Sequence, residues 1–313
     1  MSTELKYRGR FKQIPIYLGK MLRMFVYQSD WKVLPMAALI AGLVTFAVGA
    51  NLFKTQEGTT QGCFALVCVC VWNGFFNSIQ VICRERTIIK REHRAGMHIT
   101  SYVAAHMIYQ MLLCAAQTAI IIGVCQVANI QFPKEGLVTP YFMVDFAISL
   151  FLLTYAADMM SLAISSLVKN TTTAMTVMPF MLIFQLLFSG GLVKLEGAAL
   201  KITDFTIAKW GLKSFCTLGD YNSRPMVTLW NTIYKFRDFE IYGVKPIQEI
   251  MNEVMSRNML DTVLQTSGEY NMNPEYVYTA ENVLTSWGNI ILIGAVSVIL
   301  AVILLEFVDR DKR

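Results

Sequence analysis

Charged residues are scarce in this sequence. Asp, Glu, Lys and Arg together make up 16% of the 313 residues, well below the roughly 25% typical of soluble domains. The hydrophobic share is 55%, and the mean hydropathy is +0.46. These figures exclude an ordinary soluble enzyme, a disordered chain and a fibrous protein, and they predict a polytopic membrane protein. In a membrane protein the net charge of +5 reflects basic residues that set the orientation in the membrane, so no nucleic-acid partner is expected.

Groups of residues that carry chemistry are also missing. The three histidines, His93, His98 and His106, lie near one predicted membrane edge without accompanying acids, which argues against a membrane-embedded transferase. No CxxC pair has a matching His or second pair, so a zinc site is not expected. Of seven cysteines only Cys216 lies in a long polar stretch; it forms either an intersubunit disulfide or, as we predict, a buried thiol. Residues 1–32 are basic and interrupted, unlike a cleavable signal peptide.

Six apolar segments are long enough to suggest membrane helices. They are residues 33–53, 62–83, 102–128, 141–168, 173–188 and 287–308. The predicted fold is thus an all-α membrane protein of six spans. Its predicted parts are a terminal segment (1–32), spans one to five (33–188), a long loop (189–286) and the last span with the C-terminus (287–313).

The distribution of basic residues predicts the orientation. Seven lie in residues 1–32 and five in residues 84–94, whereas the other short connections hold one each. Positive residues stay on the cytoplasmic side, so both termini are expected in the cytoplasm of a plasma or bacterial inner membrane. Residues 189–286 are then external.

Four further elements are predicted outside the spans. Apolar residues recur every three or four positions from Phe11 to Phe25 between basic ones, which indicates a helix lying in the membrane interface against lipid or, alternatively, one packed on the protein. Residues 192–210 are expected to re-enter the outer leaflet. Residues 247–264 fit an amphipathic helix, and a second helix is expected at 274–286.

The connection between spans two and three, residues 84–94, is dense in charges of both signs. Ile88 and Ile89 lie in its middle, so it predicts a short helix with an apolar ridge that suits docking on a soluble partner. The alternative is that its basic residues only determine topology.

Several motifs in order resemble ABC exporters of the G subfamily, which have the type V fold. The resemblance runs over essentially the whole chain and is carried by Glu85-Arg86-x-x-Ile89-x-Arg91-Glu92, Ser101-Tyr102, Ile164-Ser165-Ser166, Asn170, Phe188-Ser189-Gly190-Gly191-Leu192-Val193, Lys209-Trp210-Gly211 and Asp220-Tyr221-Asn222. It implies a homodimeric permease whose residues Glu85, Arg86, Ile89, Arg91 and Glu92 couple to an ATPase. Because the 313 residues contain no G-x-x-x-x-G-K-[ST] sequence, that ATPase, with its ATP and Mg²⁺, is expected to be a separate subunit.

Polar residues in span two are candidates for the substrate pathway. Asn73, Asn77 and Gln80 are spaced four and three apart, which places them on one helix face. They either line a cavity or form interhelical hydrogen bonds. The resemblance places Pro179 and Ile183 of span five toward the same cavity.

The resemblance also implies an external valve formed by Gly190, Gly191 and Leu192, although the family often has a large residue where this chain has Gly191. A surface-anchoring loop is the alternative reading. Asp158 is predicted at mid-membrane, where an acid is a candidate functional group; it either couples protons or is a protonated acid bonded to a Ser or Asn.

The resulting hypothesis is the permease of an ATP-driven exporter in which ATPase closure pushes on residues 85–94 and expels substrate past Leu192. The rival hypothesis is a membrane sensor that binds a ligand through the external loop.

Overall fold

The computed structural model describes residues 9–27, 30–193, 195 and 197–307 and is helical, with no β-strand in those ranges. Eight helices form its main body, and the longest of them contain long apolar runs with few charges. The eight are α1 (Arg10–Tyr27), α2 (Val33–Val48), α3 (Gln56–Ser78), α4 (Val81–Arg94), α5 (Ile99–Val127), α6 (Phe142–Leu167), α7 (Thr171–Leu187) and α13 (Ala280–Glu306).

Five helical segments within the described ranges are long and apolar enough to cross a membrane. They are Asp30–Asn51, Gln56–Arg94, Ile99–Val127, Phe142–Leu167 and Ala280–Glu306. The remaining predicted span corresponds to α7, which is apolar but has 17 residues, the lower limit for crossing a bilayer. The helical class is therefore confirmed, whereas six crossings remain a prediction.

The centre of the bundle is a close contact between α3 and α6. Gly74 has no side chain, and a Cβ placed there would lie 2.4 Å from the Thr154 carbonyl oxygen and 2.8 Å from the Asp158 nitrogen. Small residues at such contacts let membrane helices pack by dispersion forces. The Ser161 hydroxyl donates to the Phe75 carbonyl at 2.8 Å, and α13 covers the other side of α6, with the Trp287 indole donating to Ser149 at 2.8 Å.

The predicted terminal helix is present as α1, and it packs on α5. The Gln13 amide donates to the Gly96 carbonyl at 3.1 Å, and Ser101 donates to the Arg10 carbonyl at 2.9 Å. The opposite side carries Phe11, which is 87% exposed. Packing on the protein thus accounts for one face of α1, and contact of the other face with the membrane interface stays a prediction.

The long loop is built differently from the sequence prediction. Residues 192–210 hold α8 (Ala198–Thr203) and the start of α9 (Ile207–Leu218); re-entry into the membrane stays a prediction. The single helix predicted at 247–264 is wrong, because α11 (Pro246–Ser256) ends before α12 (Leu260–Tyr270) begins, with Asn258 at φ 57° between them.

The helix predicted at 274–286 was also placed wrongly. Pro274–Tyr276 is one 3-10 turn, and α13 begins at Ala280 because the Thr279 side chain caps it by accepting from the Asn282 N–H. Residues 222–279, with α10 (Thr228–Lys235), α11 and α12, adjoin the start of α3. We call them the external module after the side of the membrane on which the sequence predicts them, which stays a prediction.

Asp145 is a buried acid whose role is local. Its carboxylate accepts hydrogen bonds from the backbone N–H groups of Leu137, Val138 and Thr139 at 2.8–3.3 Å. These bonds satisfy three backbone N–H groups of the loop that joins α5 to α6, so the Asp145 carboxylate stabilises the turn in that loop.

Candidate functional site

The predicted coupling segment is one continuous helix, α4, which prolongs α3 after a break at Ile79–Gln80. The break is stabilised by α6, because the Ser165 hydroxyl accepts the free N–H groups of Ile82 and Cys83 at 3.1 and 3.2 Å. A hydroxyl from another helix thus performs the role of an N-cap.

A side chain of α4 in turn binds the end of α6. The Arg86 guanidinium donates to the carbonyls of Ser166 and Val168 at 2.8 and 3.1 Å, groups that have no partner inside α6. Each helix therefore satisfies the backbone groups at the end of the other. The sequence had offered Ser165-Ser166 and Arg86 as separate motif residues, and their contact explains why both are needed.

One face of α4 is turned into the protein. Glu85 and Ile89 are 8% and 1% exposed. Lys20 of α1 forms an ion pair with the Glu85 carboxylate at 3.0 Å, and the Tyr102 hydroxyl of α5 donates to it at 3.3 Å.

Glu92 continues this inner face one turn further. Tyr17 of α1 is hydrogen-bonded to Glu92, and burial together with the Glu92 charge raises the pKa of Tyr17 to about 12. The inner face of α4 is thus bound to α1 and α5 by two carboxylates.

The opposite face of α4 is open. Its exposed residues are Arg84, Thr87, Ile88, Arg91 and Arg94, and we call three of them, Thr87, Ile88 and Arg91, the outer face. Of the five predicted coupling residues, only Arg91 belongs to it. Spacing alone defined two faces of the helix but gave no indication of which one α1 would cover.

The predicted pathway residues of span two divide between two environments. Asn77 and Gln117 of α5 form reciprocal amide hydrogen bonds of 2.9 and 3.0 Å, which is the interhelical alternative that the sequence had left open. Asn73 is 4% exposed, and its amide nitrogen has no hydrogen-bond partner among the described residues. Gln80 and Asn77 line a cavity of about 310 Å³.

Asp158 lies at the centre of a neutral polar cluster. Its carboxyl contacts the Ser78 hydroxyl, the Asn77 amide at 3.4 Å and the Cys114 thiol at 3.5 Å, and it is fully buried. All three partners are uncharged donors. The predicted Ser and Asn contacts are therefore present, and the cluster joins α3, α5 and α6.

Pro179 and Ile183 of α7 lie on an exposed apolar face. Ile183 is 63% and Phe180 is 69% exposed. Neither Pro179 nor Ile183 lines the cavity that Asn77 and Gln80 line; of α7, Met175 does.

The predicted valve segment leaves α7 in a sharp turn. Gly190 has φ +79°, a left-handed conformation that glycine tolerates best, and Leu192 is 61% exposed. A Cβ at Gly191 would lie 2.5 Å from the Phe64 ring of α3. The Phe64 ring therefore fills the space that a larger residue at 191 would need.

Sequence reasoning missed the contacts that fasten the external module. The Glu57 carboxylate accepts from the Val227 and Thr228 N–H groups at 3.0 and 2.7 Å, which begin α10. The Gln56 amide donates to the Gly268 carbonyl at 2.9 Å. The sequence feature that could have indicated these contacts is the pair of adjacent polar residues, Gln56 and Glu57, at the start of an apolar helix.

The described residues contain no group of three or more His, Cys, Asp or Glu that could hold a metal ion. Cys216 is completely buried and contacts the Cys63 thiol, so the buried-thiol prediction is confirmed.

Comparison with known proteins agrees with this architecture. Residues 20–213 match the model of the ABC-2 type transporter family. The chain is also 25% identical over 217 residues to an ABC transporter ATP-binding/permease protein of Mycobacterium tuberculosis, an alignment that covers 64% of this chain and 24% of that protein. This chain thus spans about a quarter of its relative's length. The family match covers more than half of the chain and includes α2 to α7, so this integral membrane protein belongs to the ABC-2 type transporter family as a permease.

Proposed function

We propose that this permease forms the substrate pathway of an ATP-driven exporter, as a homodimer that binds a separate ATPase subunit through the outer face of α4. ATP and Mg²⁺ are held by that subunit. The observation that carries the proposal is the two-sidedness of α4. Its inner face is bound to α1 and α5, whereas Thr87, Ile88 and Arg91 are exposed at the end of the helix that continues span two.

The proposed coupling follows from this geometry. A force on the outer face acts on a helix that is fastened to α6 by Ser165 and Arg86. Movement of α4 is therefore passed to α3 and α6, the helices that surround the Asn77 cluster. Glu85 and Glu92 take part by keeping α4 in place rather than by touching the ATPase.

Glutamate substitutions on the outer face test the docking proposal. In the reconstituted permease–ATPase complex, Arg91→Glu and Ile88→Glu are expected to lower permease-stimulated ATP hydrolysis at least about tenfold, since a few interface residues carry most binding energy. The thermal stability of the permease should not change. Lys235→Glu in α10 is the matched control at the opposite end of α3. Normal stimulation with both outer-face variants would show that the ATPase docks elsewhere.

Dimerisation is proposed to occur through α7. Its exposed side chains Phe180, Ile183, Phe184 and Leu187 form one apolar face, and Met175 of the same helix lines the cavity that Asn77 and Gln80 also line. A second copy placed here would bring Pro179 and Ile183 toward the polar residues of α3.

Disulfide trapping tests this arrangement. Ile183→Cys is expected to cross-link two copies in membranes, while Ile303→Cys on α13, also exposed, should not. Cross-linking through position 303 alone would place the interface on α13.

The export direction needs its own test. Inside-out vesicles should accumulate substrate only when ATP is outside them, and Leu192→Ala should raise passive leakage if Leu192 closes the outer end of the pathway. ATP-independent ligand binding to the external module, without any ATPase complex, would favour the rival function of a sensor. The observation that supports this rival is the attachment of the module to α3 by Gln56 and Glu57, because ligand binding to the module could then act on a membrane helix.

A further inference from the structure

The cavity of about 310 Å³ is amphipathic and lies at the α4 end of the bundle. We call it the chamber. Its polar part is formed by Asp30, Asn77, Gln80, Arg84 and His106, and the rest of its lining is mainly apolar and comes from α1, α2, α3, α5 and α7. A chamber with a few convergent polar groups and an apolar remainder is typical of a ligand site.

His106 gives the chamber an unsatisfied polar group. Its side chain lines the chamber and is 4% exposed, and neither ring nitrogen has a hydrogen-bond partner within the described ranges. Leaving a buried polar group unpaired destabilises the folded protein. A ligand atom that bonds to the imidazole would remove that penalty.

Two apolar grooves of about 200 Å³ each adjoin the chamber. One, which also includes Leu22 and Leu34, shares Tyr109 and Leu113 with it. The other lies between α2 and α3 and shares Val33 and Phe76 with the chamber. Because Val33 and Leu34 are consecutive, the grooves leave the chamber on either side of the first turn of α2.

The charges around the chamber favour an anion. The Arg84 side chain is 45% exposed, and its contact with Asp30 is long, at 4.0 Å. Lys32 lines the second groove. Two cations against one carboxylate leave one positive charge to be neutralised, and guanidinium groups bind phosphate oxygens by charge-assisted hydrogen bonds.

We propose that the chamber and its grooves bind a two-chain phospholipid with an anionic phosphodiester headgroup. The headgroup contacts Arg84 and His106, and one acyl chain follows each groove beside α2. Arg84, His106 and both grooves belong to one copy of the chain, so lipid binding can be measured without the ATPase.

Native mass spectrometry of the purified, delipidated chain tests the site. Phosphatidylglycerol is expected to bind one per chain and at least about tenfold more tightly than phosphatidylcholine. Glycerol 3-phosphate, which has the phosphate but no chains, should not compete. Arg84→Gln should weaken phosphatidylglycerol binding at least about tenfold, whereas Arg91→Gln on the outer face of the same helix should not.

A second variant protects the test against misfolding. Val33→Trp places a bulky apolar side chain where the chamber meets the second groove and keeps every charge, so it should abolish the one-to-one complex without changing monodispersity. Equal lipid retention by Arg84→Gln, Arg91→Gln and Val33→Trp would overturn the proposal, as would equal affinity for the two lipids. Cross-linking of two copies through Met36→Cys would show that a second copy fills the groove instead, which also overturns it.

Discussion

At the scale of single residues, the hydrogen bonds of Asp158 favour a structural role over proton coupling. Its partners Ser78, Asn77 and Cys114 are neutral donors, and Asn77 is itself held by Gln117. An amide oxygen can still accept the Ser78 hydroxyl. We therefore expect Asp158→Asn to retain most ATP-driven transport and to lower the free energy of unfolding by about 1 kcal/mol.

Transport by reconstituted vesicles, together with thermal unfolding in detergent, checks this expectation. Asp158→Leu is the contrasting variant, because it removes every acceptor and leaves the buried donors unpaired; it should unfold at clearly lower temperature. If Asp158→Asn abolishes transport while the complex assembles normally, the carboxyl group carries protons and the structural role is insufficient.

Gly74 is a second residue with a specific packing requirement. A methyl group there would overlap the Thr154 carbonyl of α6, and such overpacking costs about 1–3 kcal/mol. Gly123→Ala is the matched control, since nothing lies within 4 Å of a Cβ at that position and alanine favours a helix by about 1 kcal/mol. Thermal unfolding should separate the two variants, Gly74→Ala falling and Gly123→Ala staying equal or rising.

At the scale of one element, α4 shows which features spacing can and cannot predict. The mixed charges around Ile88 and Ile89 predicted a helix, because charge and polarity are local properties. The apolar runs predicted α5, α6 and α7 to within three residues at each end, whereas α3 and α13 begin at Gln56 and Ala280, six and seven residues before the predicted 62 and 287. The burial of Glu85 could not be predicted, since it depends on Lys20, a residue 65 positions away. The Asn77–Gln117 pair likewise requires the register between two helices.

The Lys20–Glu85 ion pair gives a prediction at this scale. Its side chains are 33% and 11% exposed, so it is only partly screened. A double-mutant cycle with Lys20→Ala and Glu85→Gln should give a coupling energy of about 1 kcal/mol in unfolding experiments. Both single variants should also loosen α1, measured as faster hydrogen exchange in residues 10–27. Strictly additive effects would mean that the pair does not fix α1 on α4.

At the scale of the whole molecule, α3 and α4 connect the external module to the proposed ATPase face. Glu57 fastens the module by accepting the first N–H groups of α10. Glu57→Ala should therefore increase hydrogen exchange in residues 226–235 at least about tenfold, because charge-assisted bonds contribute about 1.5–3 kcal/mol. Gln61→Ala, an exposed change one turn further along the same helix, should leave exchange in that segment unaltered.

If protection of α10 is unchanged in Glu57→Ala, the module is held by other contacts, of which the Gln56–Gly268 bond is the first to test.

The hydrogen bonds by which α4 and α6 satisfy each other's helix ends have a consequence for building hybrid permeases. Residues 81–94 by themselves are not a transplantable unit, since the helix start relies on Ser165 and the end of α6 relies on Arg86. A chimera that adopts the partner specificity of another permease must keep Arg86 or import residues 165–168 together with the helix. Swapping the helix alone keeps Ser165 as acceptor for the first N–H groups of α4, but it would leave the Ser166 and Val168 carbonyls without partners whenever the donor sequence lacks an arginine at the position of Arg86.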